Sequence, residues 1–553
     1  MIEQNTSSFF LIYTMGILST LAIVVAFFFV FLKNAFLLNR ARLVFICSLI
    51  FYFAGILTFQ LLKLHTFKYY GDFAIWLELF SNIVDGRGII STLHQTSFGF
   101  GDTRNYLALH FVPLIYILAL PLYVIKNYPV YIIVLQTLIL TSSVIPLYLF
   151  SRDTFNNKKI GYLFAASILF FPTIQYINLY DFEFLRISIP LLLFSFYFIH
   201  KRKTIVYFVF FILSVLVREE VALTTFLLGF YIFFVLKEKK IGLITSAVSI
   251  SYFFFVTKVA MPYFAGASTT INHHLAFGNF SYMGNSPSQI VIYIVSHPLA
   301  IISNLLNKIK IANFLMYVLP LCFASFFSPA IFFIATANLL LNFLSVSISH
   351  YSYILYYLSP SIPFLFLSAI QGVKNIRDRW LPFLKDKHIL PGKFDNDKFT
   401  YAMVSCIFVA CVSSNIFFGP SFLSIQFWNH DYKLAPYKTH NFHYSQYIPT
   451  EHHAKAFSFL PLIPNNAIVS AEHFFLPYLY GKKALMNFPI YEGADYVLID
   501  KTHPIKFGTI GVDPIEARKN PQQFYDLVEK DTNNWELIKE EDSVFLFKKR
   551  QWN

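Results

Sequence analysis

The chain has 553 residues, 56% of them hydrophobic and only 13% charged, with a formal net charge of +13. Soluble domains carry roughly 25% charged residues, so the composition excludes an ordinary soluble protein and indicates a polytopic helical membrane protein. Lys and Arg fall in short loops between apolar runs, where they set topology and meet anionic head groups. That pattern argues against nucleic acid as a partner.

Runs long enough to span a bilayer occupy 8–33, 44–62, 129–151, 159–178, 185–200, 203–218, 221–236, 241–260, 306–326, 329–347, 352–372 and 399–418. About twelve transmembrane helices are therefore predicted. The first run lacks a basic leader before it and reads as a retained helix. Basic loops follow alternate spans, beginning with Lys33, Arg40 and Arg42, then Arg152, Lys158 and Lys159, and ending with 374–398. This segregation puts them on the cytoplasmic side and both termini outside. The outer side receives the loop 63–128, the turns around Asp181 and Glu219, the loop 261–305 and the His350-Tyr351 turn. Within 63–128, LALHFVPLIYILALPLYVI reads as a juxtamembrane helix or re-entrant segment.

From about residue 419 the composition becomes that of a globular protein. Residues 467–471, 496–500, 535–540 and 543–548 read as strands, and 472–480 and 521–530 as helices. The expected organisation is a membrane domain over 1–418 and a small extracytoplasmic α/β domain over 419–553. Cys47, Cys322, Cys406 and Cys411 all lie in apolar runs and form no ligand or disulfide pattern.

Acidic residues recur at the outer ends of the apolar runs. Ionisable groups at membrane depth are costly and mark sites. Asp72, in KYYGDFAIWLELFSN, fits a general base, a metal ligand or a helix N-cap, whereas Glu78 reads as a solvated helix residue. YDFEFLR brings Asp181, Glu183 and Arg186 to a tight turn; a guanidinium there suits a phosphate, and the alternative is a turn held by an ion pair. VREEVAL interrupts apolar sequence with Arg218, Glu219 and Glu220, of which one is expected to face the bundle. His110, His273, His274 and His350 all lie on the outer side without a metal-ligand spacing. No Walker loop, GxSxG elbow or HExxH motif is present, which speaks against nucleotide-driven transport and common hydrolases.

These segments resemble DUF2079, a family of bacterial predicted membrane proteins similar to the GT-C superfamily of membrane glycosyltransferases. The resemblance is carried by Gly71-Asp72-Phe73 through Gly86-Arg87-Gly88, by His110-Phe111-Val112-Pro113 through Tyr123, by Asp181-Phe182-Glu183-Phe184 through Pro190, by Arg218-Glu219-Glu220, and by His350-Tyr351 with Pro363. The chain departs from the pattern at Leu77, Glu183, Phe184 and Arg218, where the family has Asp, His, Pro and Lys. The resemblance implies an all-α GT-C-like fold in a bacterial inner membrane, with its active face extracytoplasmic. It implies a polyprenyl-phosphate-linked sugar donor and a glycan, lipid or protein acceptor. Asp72 would then be the general base and Asp181 would orient it or the acceptor. Arg186 or Arg218 would hold the donor phosphate, and Glu219 would position Arg218 or the sugar. Glu220, His110, Glu183, His350 and Tyr351 would complete the substrate site, with a divalent metal left open as cofactor. A transporter or flippase for a lipid-linked saccharide or anionic solute is the alternative, and a non-catalytic scaffold a third reading.

Overall fold

The computed structural model describes residues 2–94, 104–266, 278–284, 286–389, 391, 395–432, 442–502 and 522–550, apart from the side chains of 2–10 and 287. His273 and His274 lie outside the described residues. Among the described residues, five helices are long and apolar enough to cross a membrane: Leu11–Lys33, Ala41–His65, Tyr128–Phe155, Lys239–Ala265 and Asn396–Phe418. Two bent pairs, Lys158–Leu169 with Pro172–Leu179 (49°) and Ser288–Ser296 with Pro298–Leu305 (91°), bring the number to seven if each pair is one span.

Composition predicts about twelve, and the remaining apolar runs form shorter or broken helices. Four of the apolar runs form helices shorter than 18 residues: Phe184–His200, Thr204–Val215, Val221–Phe234 and Pro329–Phe343. The runs 306–326 and 352–372 contain the 3-10 turns Leu319–Leu321 and Tyr356–Leu358, so neither is one continuous helix. Hydropathy reads apolar length but not these breaks. Pro172 opens its helix at the first position, where its missing N–H costs nothing, and so fixes the 49° bend.

The short helices are held by close contact. A Cβ on Gly229 would meet the Ser246 Oγ at 2.1 Å, and one on Gly242 would meet the Gly229 carbonyl at 2.7 Å. The helices Val221–Phe234 and Lys239–Phe255 thus touch backbone to backbone through paired glycines. The Thr225 and Ser249 hydroxyls, 2.8 Å apart, add a polar bond between them.

Among the described residues the C-terminal sheet has five strands, β1 (Ile468–Ala471), β2 (Ala484–Asn487), β3 (Tyr496–Asp500), β4 (Trp535–Glu541) and β5 (Val544–Lys549), in the order β2-β1-β3-β5-β4. β1 runs parallel to β2 and β3, and β5 antiparallel to β3 and β4. Four of these strands are predicted by sequence; β2, Ala-Leu-Met-Asn, has no β-branched or aromatic residue to mark it as a strand. The helix Gln522–Glu529 is present, whereas 472–480 holds only the 3-10 turn Leu476–Tyr478. Alternation along β3 turns Leu498 to the core shared with the bundle, and Val497 and Ile499 to Tyr525, Val528 and Trp535.

The helix Gly71–Val84 lies between bundle and sheet and is buried from Phe73 to Ile83. Glu78 on this helix is therefore not solvated. Its carboxylate accepts from the Ser91 hydroxyl (2.7 Å), the Thr92 amide (3.0 Å) and hydroxyl, and the Leu93 amide (3.3 Å). The Leu485 amide of β2 donates in turn to the Thr92 hydroxyl at 2.9 Å. Stacking of Phe67 on Phe457, with ring centroids 4.1 Å apart, completes the clamp. Further along, where a juxtamembrane helix or re-entrant segment is expected, Ile115–Ala119 and the 3-10 turn Leu120–Tyr123 form a short helical segment. It leaves Tyr116, Leu120 and Tyr123 exposed.

Candidate functional site

Segments from four parts of the chain meet at one end of the bundle: the start of Gly71–Val84, the turn 180–186, the turn 217–220, and 350–357. The first two are clasped reciprocally. Tyr70 is extended and donates its amide to the Asp181 Oδ2 (3.1 Å), while the Tyr180 hydroxyl donates to the Asp72 Oδ2 (3.1 Å). Tyr70 occupies the N-cap position and no side chain caps this helix, so the capping role open to Asp72 is not the one its carboxylate performs.

Asp72 keeps partial access to solvent while protein atoms enclose it. That enclosure, together with the nearby Glu183 and Asp181 carboxylates, pushes its pKa up to about 7 against the opposing Tyr180 bond. Burial also raises Asp181, with Lys63 and the Tyr70 and Phe73 amides pulling the other way. Asp181 is thus occupied in holding the first-loop helix.

The third segment is an acid–base knot. Arg218 is buried, with its Nη2 3.1 Å from the Glu220 Oε2 and its Nε 3.8 Å from the Glu219 Oε1. Burial disfavours its charge, but Glu220 and Glu219 outweigh that and raise its pKa. The Nε and Nη1 donors of Arg218 have no hydrogen-bond partner, a costly arrangement for a buried guanidinium. Glu219 is fixed by His110 Nδ1 (3.0 Å) and by the Phe111 amide (3.0 Å), which ties this turn to the first outer loop. Burial would raise Glu219, but His110 and Arg218 hold it below the usual range.

Glu183 lies within electrostatic reach of Asp72 and Arg218, and Tyr356 and Tyr357 feel all three. Tyr356 stacks on Tyr357 with centroids 4.4 Å apart, and the His350 ring lies 4.5 Å from Tyr357. Burial, with Arg218 and His110 nearby, lowers His350 to about 4, so this imidazole is neutral at ordinary pH.

Two candidates turn elsewhere. Arg186 is fully buried; its Nη1 donates to the Gln136 Oε1 at 2.8 Å and its Nη2 to the Asp181 carbonyl. It closes a polar network of Gln60, Gln136, Thr137 and Asn178 beneath the site. Tyr351 faces Lys310, whose Nζ sits 5.0 Å from the ring centre. Sequence reasoning misses Tyr180, Tyr356 and Tyr357. The first stands beside a named acid and the others in a tyrosine-rich run, but neither position carries a catalytic signal by type. Among the described residues no group of three or more His, Cys, Asp or Glu is placed to hold a metal ion.

The family model of DUF2079, described as a predicted membrane protein, matches residues 60–546. No curated protein matches the chain. Among solved structures, ArnT from Cupriavidus metallidurans bound to undecaprenyl phosphate is similar over 92% of this chain and 98% of its own, with 11% identity and a TM-score of 0.49. The archaeal oligosaccharyltransferase AglB from Archaeoglobus fulgidus, in complex with an inhibitory peptide and a dolichol-phosphate, is similar over 88% of this chain and 71% of its own, with 11% identity and a TM-score of 0.35. Both scores lie below 0.5, and the reading of the site rests on its own residues.

Proposed function

The chain belongs to the DUF2079 family of predicted membrane proteins, and from the acidic site it carries we propose that it is a glycosyltransferase. The donor is a polyprenyl-phosphate-linked sugar whose tail stays in the lipid. The acceptor is a hydroxyl of a glycan, lipid or protein, and the site faces the extracytoplasmic side of a bacterial inner membrane. One observation carries this reading. A solvent-accessible carboxyl with a pKa near 7 stands in the same cluster as a buried guanidinium with two unpartnered N–H donors.

Asp72 takes the proton of the acceptor hydroxyl as that oxygen attacks the anomeric carbon. A base with a pKa near the operating pH is both largely ionised and strong enough for this. The bond from that carbon to the phosphate oxygen breaks, and negative charge gathers on the leaving phosphate. The free Nε and Nη1 of Arg218 supply charge-assisted donors for it. Glu219 and Glu220 hold the Arg218 fork, and His110 holds Glu219. Asp181 acts as a positioning residue through Tyr70, and Glu183 contributes to the raised pKa of Asp72. Arg186 has both Nη groups engaged and only its Nε without a hydrogen-bond partner, against two such donors on Arg218. On that difference we assign the phosphate to Arg218.

The polar network around Arg186 also favours transfer over transport. It fills the bundle beneath the site with hydrogen-bonded side chains, where a transporter needs an alternating route. The reading is tested by reconstituting the protein in vesicles with a panel of labelled polyprenyl-phosphate sugars and a membrane extract as acceptor. Label leaving the donor for a new product, and doing so only with Asp72 intact, is the expected result. Movement of intact donor across the bilayer without a new product would replace it with the transport reading.

A further inference from the structure

Between Lys258 and Lys308 the sequence contains no Asp, Glu, Lys or Arg. The later part of this stretch folds into two short helices, Pro287–Ser296 of 10 residues and Pro298–Leu305 of 8 residues. They meet at a 91° bend. At about 1.5 Å per residue their axes measure roughly 15 and 12 Å, whereas the hydrocarbon core is about 30 Å thick. Set at right angles, they cannot add their lengths across it.

The pair has an inner and an outer face. Inward, Ile290, Tyr293, Ile294 and Ile301 pack with Met283 and Leu344. Outward, Val295 is 75% exposed and Leu299 79%, with Val291, Ile292 and Ile302 also exposed. This two-helix apolar face carries no charge to keep it in water, and its exposed side chains recur at helical spacing rather than singly.

The elbow is built for a dry setting. Pro298 has no N–H to leave unpaired, and the His297 amide donates to the Tyr293 carbonyl at 2.8 Å. The His297 ring folds back onto Tyr293, centroids 4.4 Å apart, and its Nδ1 lies 2.8 Å from the Ser296 hydroxyl. The seat of the pair is equally definite. Tyr282 donates its hydroxyl to the Leu344 carbonyl (2.9 Å) and the Val346 amide donates to the Asn279 carbonyl (2.9 Å). The Lys310 ammonium joins Asn304 to the Phe343 and Ser345 carbonyls. This seat lies a few residues before His350 in the chain.

We infer that residues 287–305 form a re-entrant foot that dips into the acyl chains of the leaflet on the site side and returns without crossing. Lipid chains are the occupant because the outer face is uncharged and its largest exposed side chains are aliphatic, the flanking cations begin only at Lys308, and the chain belongs to a membrane protein family. The inference does not depend on the sugar-transfer reading.

The test uses the full chain with its four native cysteines replaced by serine, reconstituted in vesicles. Single cysteines at Ser286 and Asn307 should react with an impermeant maleimide from the same side as a cysteine at Asp85. Spin labels at Val295 and Leu299 should be relaxed more by lipid-dissolved oxygen than by an aqueous nickel chelate, with the order reversed at Ser286. The unsubstituted chain in vesicles containing a diazirine-acyl phospholipid should gain lipid adducts within 291–302, which guards against loss of fold in the variants. Labelling of Ser286 and Asn307 from opposite sides would make the pair a broken span and overturn the inference. Nickel access at Val295 and Leu299 equal to that at Ser286, with no lipid adducts, would make the face aqueous and overturn it equally.

Discussion

The Tyr180 hydroxyl lies 3.1 Å from the Asp72 carboxylate and donates to it, one residue before Asp181 takes up the Tyr70 amide. Two segments more than a hundred positions apart are thereby fixed to each other at their most acidic points. The bond also sets the chemistry of Asp72. It is the one contribution that lowers a pKa which burial, Glu183 and Asp181 all raise.

Transfer should therefore depend on the ionised form of Asp72. The rate rises with pH through about 7 and flattens above it. Tyr180→Phe removes the bond that favours the carboxylate, so the rising limb moves to higher pH while the plateau is largely kept. A pH–rate profile of both proteins measures this directly. An unmoved limb in Tyr180→Phe would separate Tyr180 from the base.

Asp72 also has a signature in stability. Its pKa in the folded state, about 7, stands above the ordinary 3.8, so the protonated carboxyl is the form the fold prefers. The stability it contributes is complete below about pH 4 and is lost as pH rises toward 7. Asp72→Asn cannot ionise, and should be more stable than the parent at pH 8 by about 1–3 kcal/mol, allowing for the solvent access of the site. The difference should vanish near pH 4. Thermal unfolding in detergent at the two pH values measures it.

Arg218→Lys keeps the charge but loses the planar fork. It should raise the KM for donor by about 10–100-fold, roughly 1.4–2.7 kcal/mol of binding, with a smaller effect on KM for acceptor. Arg218→Ala leaves Glu219 and Glu220 without their cation and should destabilise the fold by about 3–5 kcal/mol. Donor and acceptor titrations on the Lys variant distinguish binding of phosphate from a purely structural ion pair.

Topology gives a further test. A single cysteine at Asp85 should react with an impermeant reagent from outside and one at Asp378 from the cytoplasm. Both side chains are exposed, 50% and 42% respectively. Reversal of the two would place the acidic site on the cytoplasmic face.

Much of this arrangement is legible in the sequence because it depends on where charges interrupt apolar runs. Asp72, Asp181, Glu183, Arg218 and Glu219 announce themselves that way, and they meet in space because each stands at the end of an apolar run. Arg186 carries the same signal yet is occupied by Gln136 and a carbonyl, since a run of apolar residues does not reveal which polar groups face one another across it. Glu78 reads as solvated because one helix face is all that its spacing reports. The sheet that covers it, and the Ser91–Leu93 turn it holds, are tertiary facts. Tyr180, Tyr356 and Tyr357 are hidden among the chain's 35 tyrosines. Helix length is similarly opaque, as paired glycines such as Gly229 and Gly242 shape the packing without altering hydropathy.

The central claim rests on Asp72 as the base, and Asp72→Asn in the reconstituted transfer assay tests it most directly. The amide nearly matches the carboxyl in shape and can still accept from Tyr180, but it cannot take the acceptor's proton. The account predicts retained fold and donor binding with transfer slowed by roughly 10²–10⁴-fold. Transfer at the parent rate by the Asn variant would contradict it.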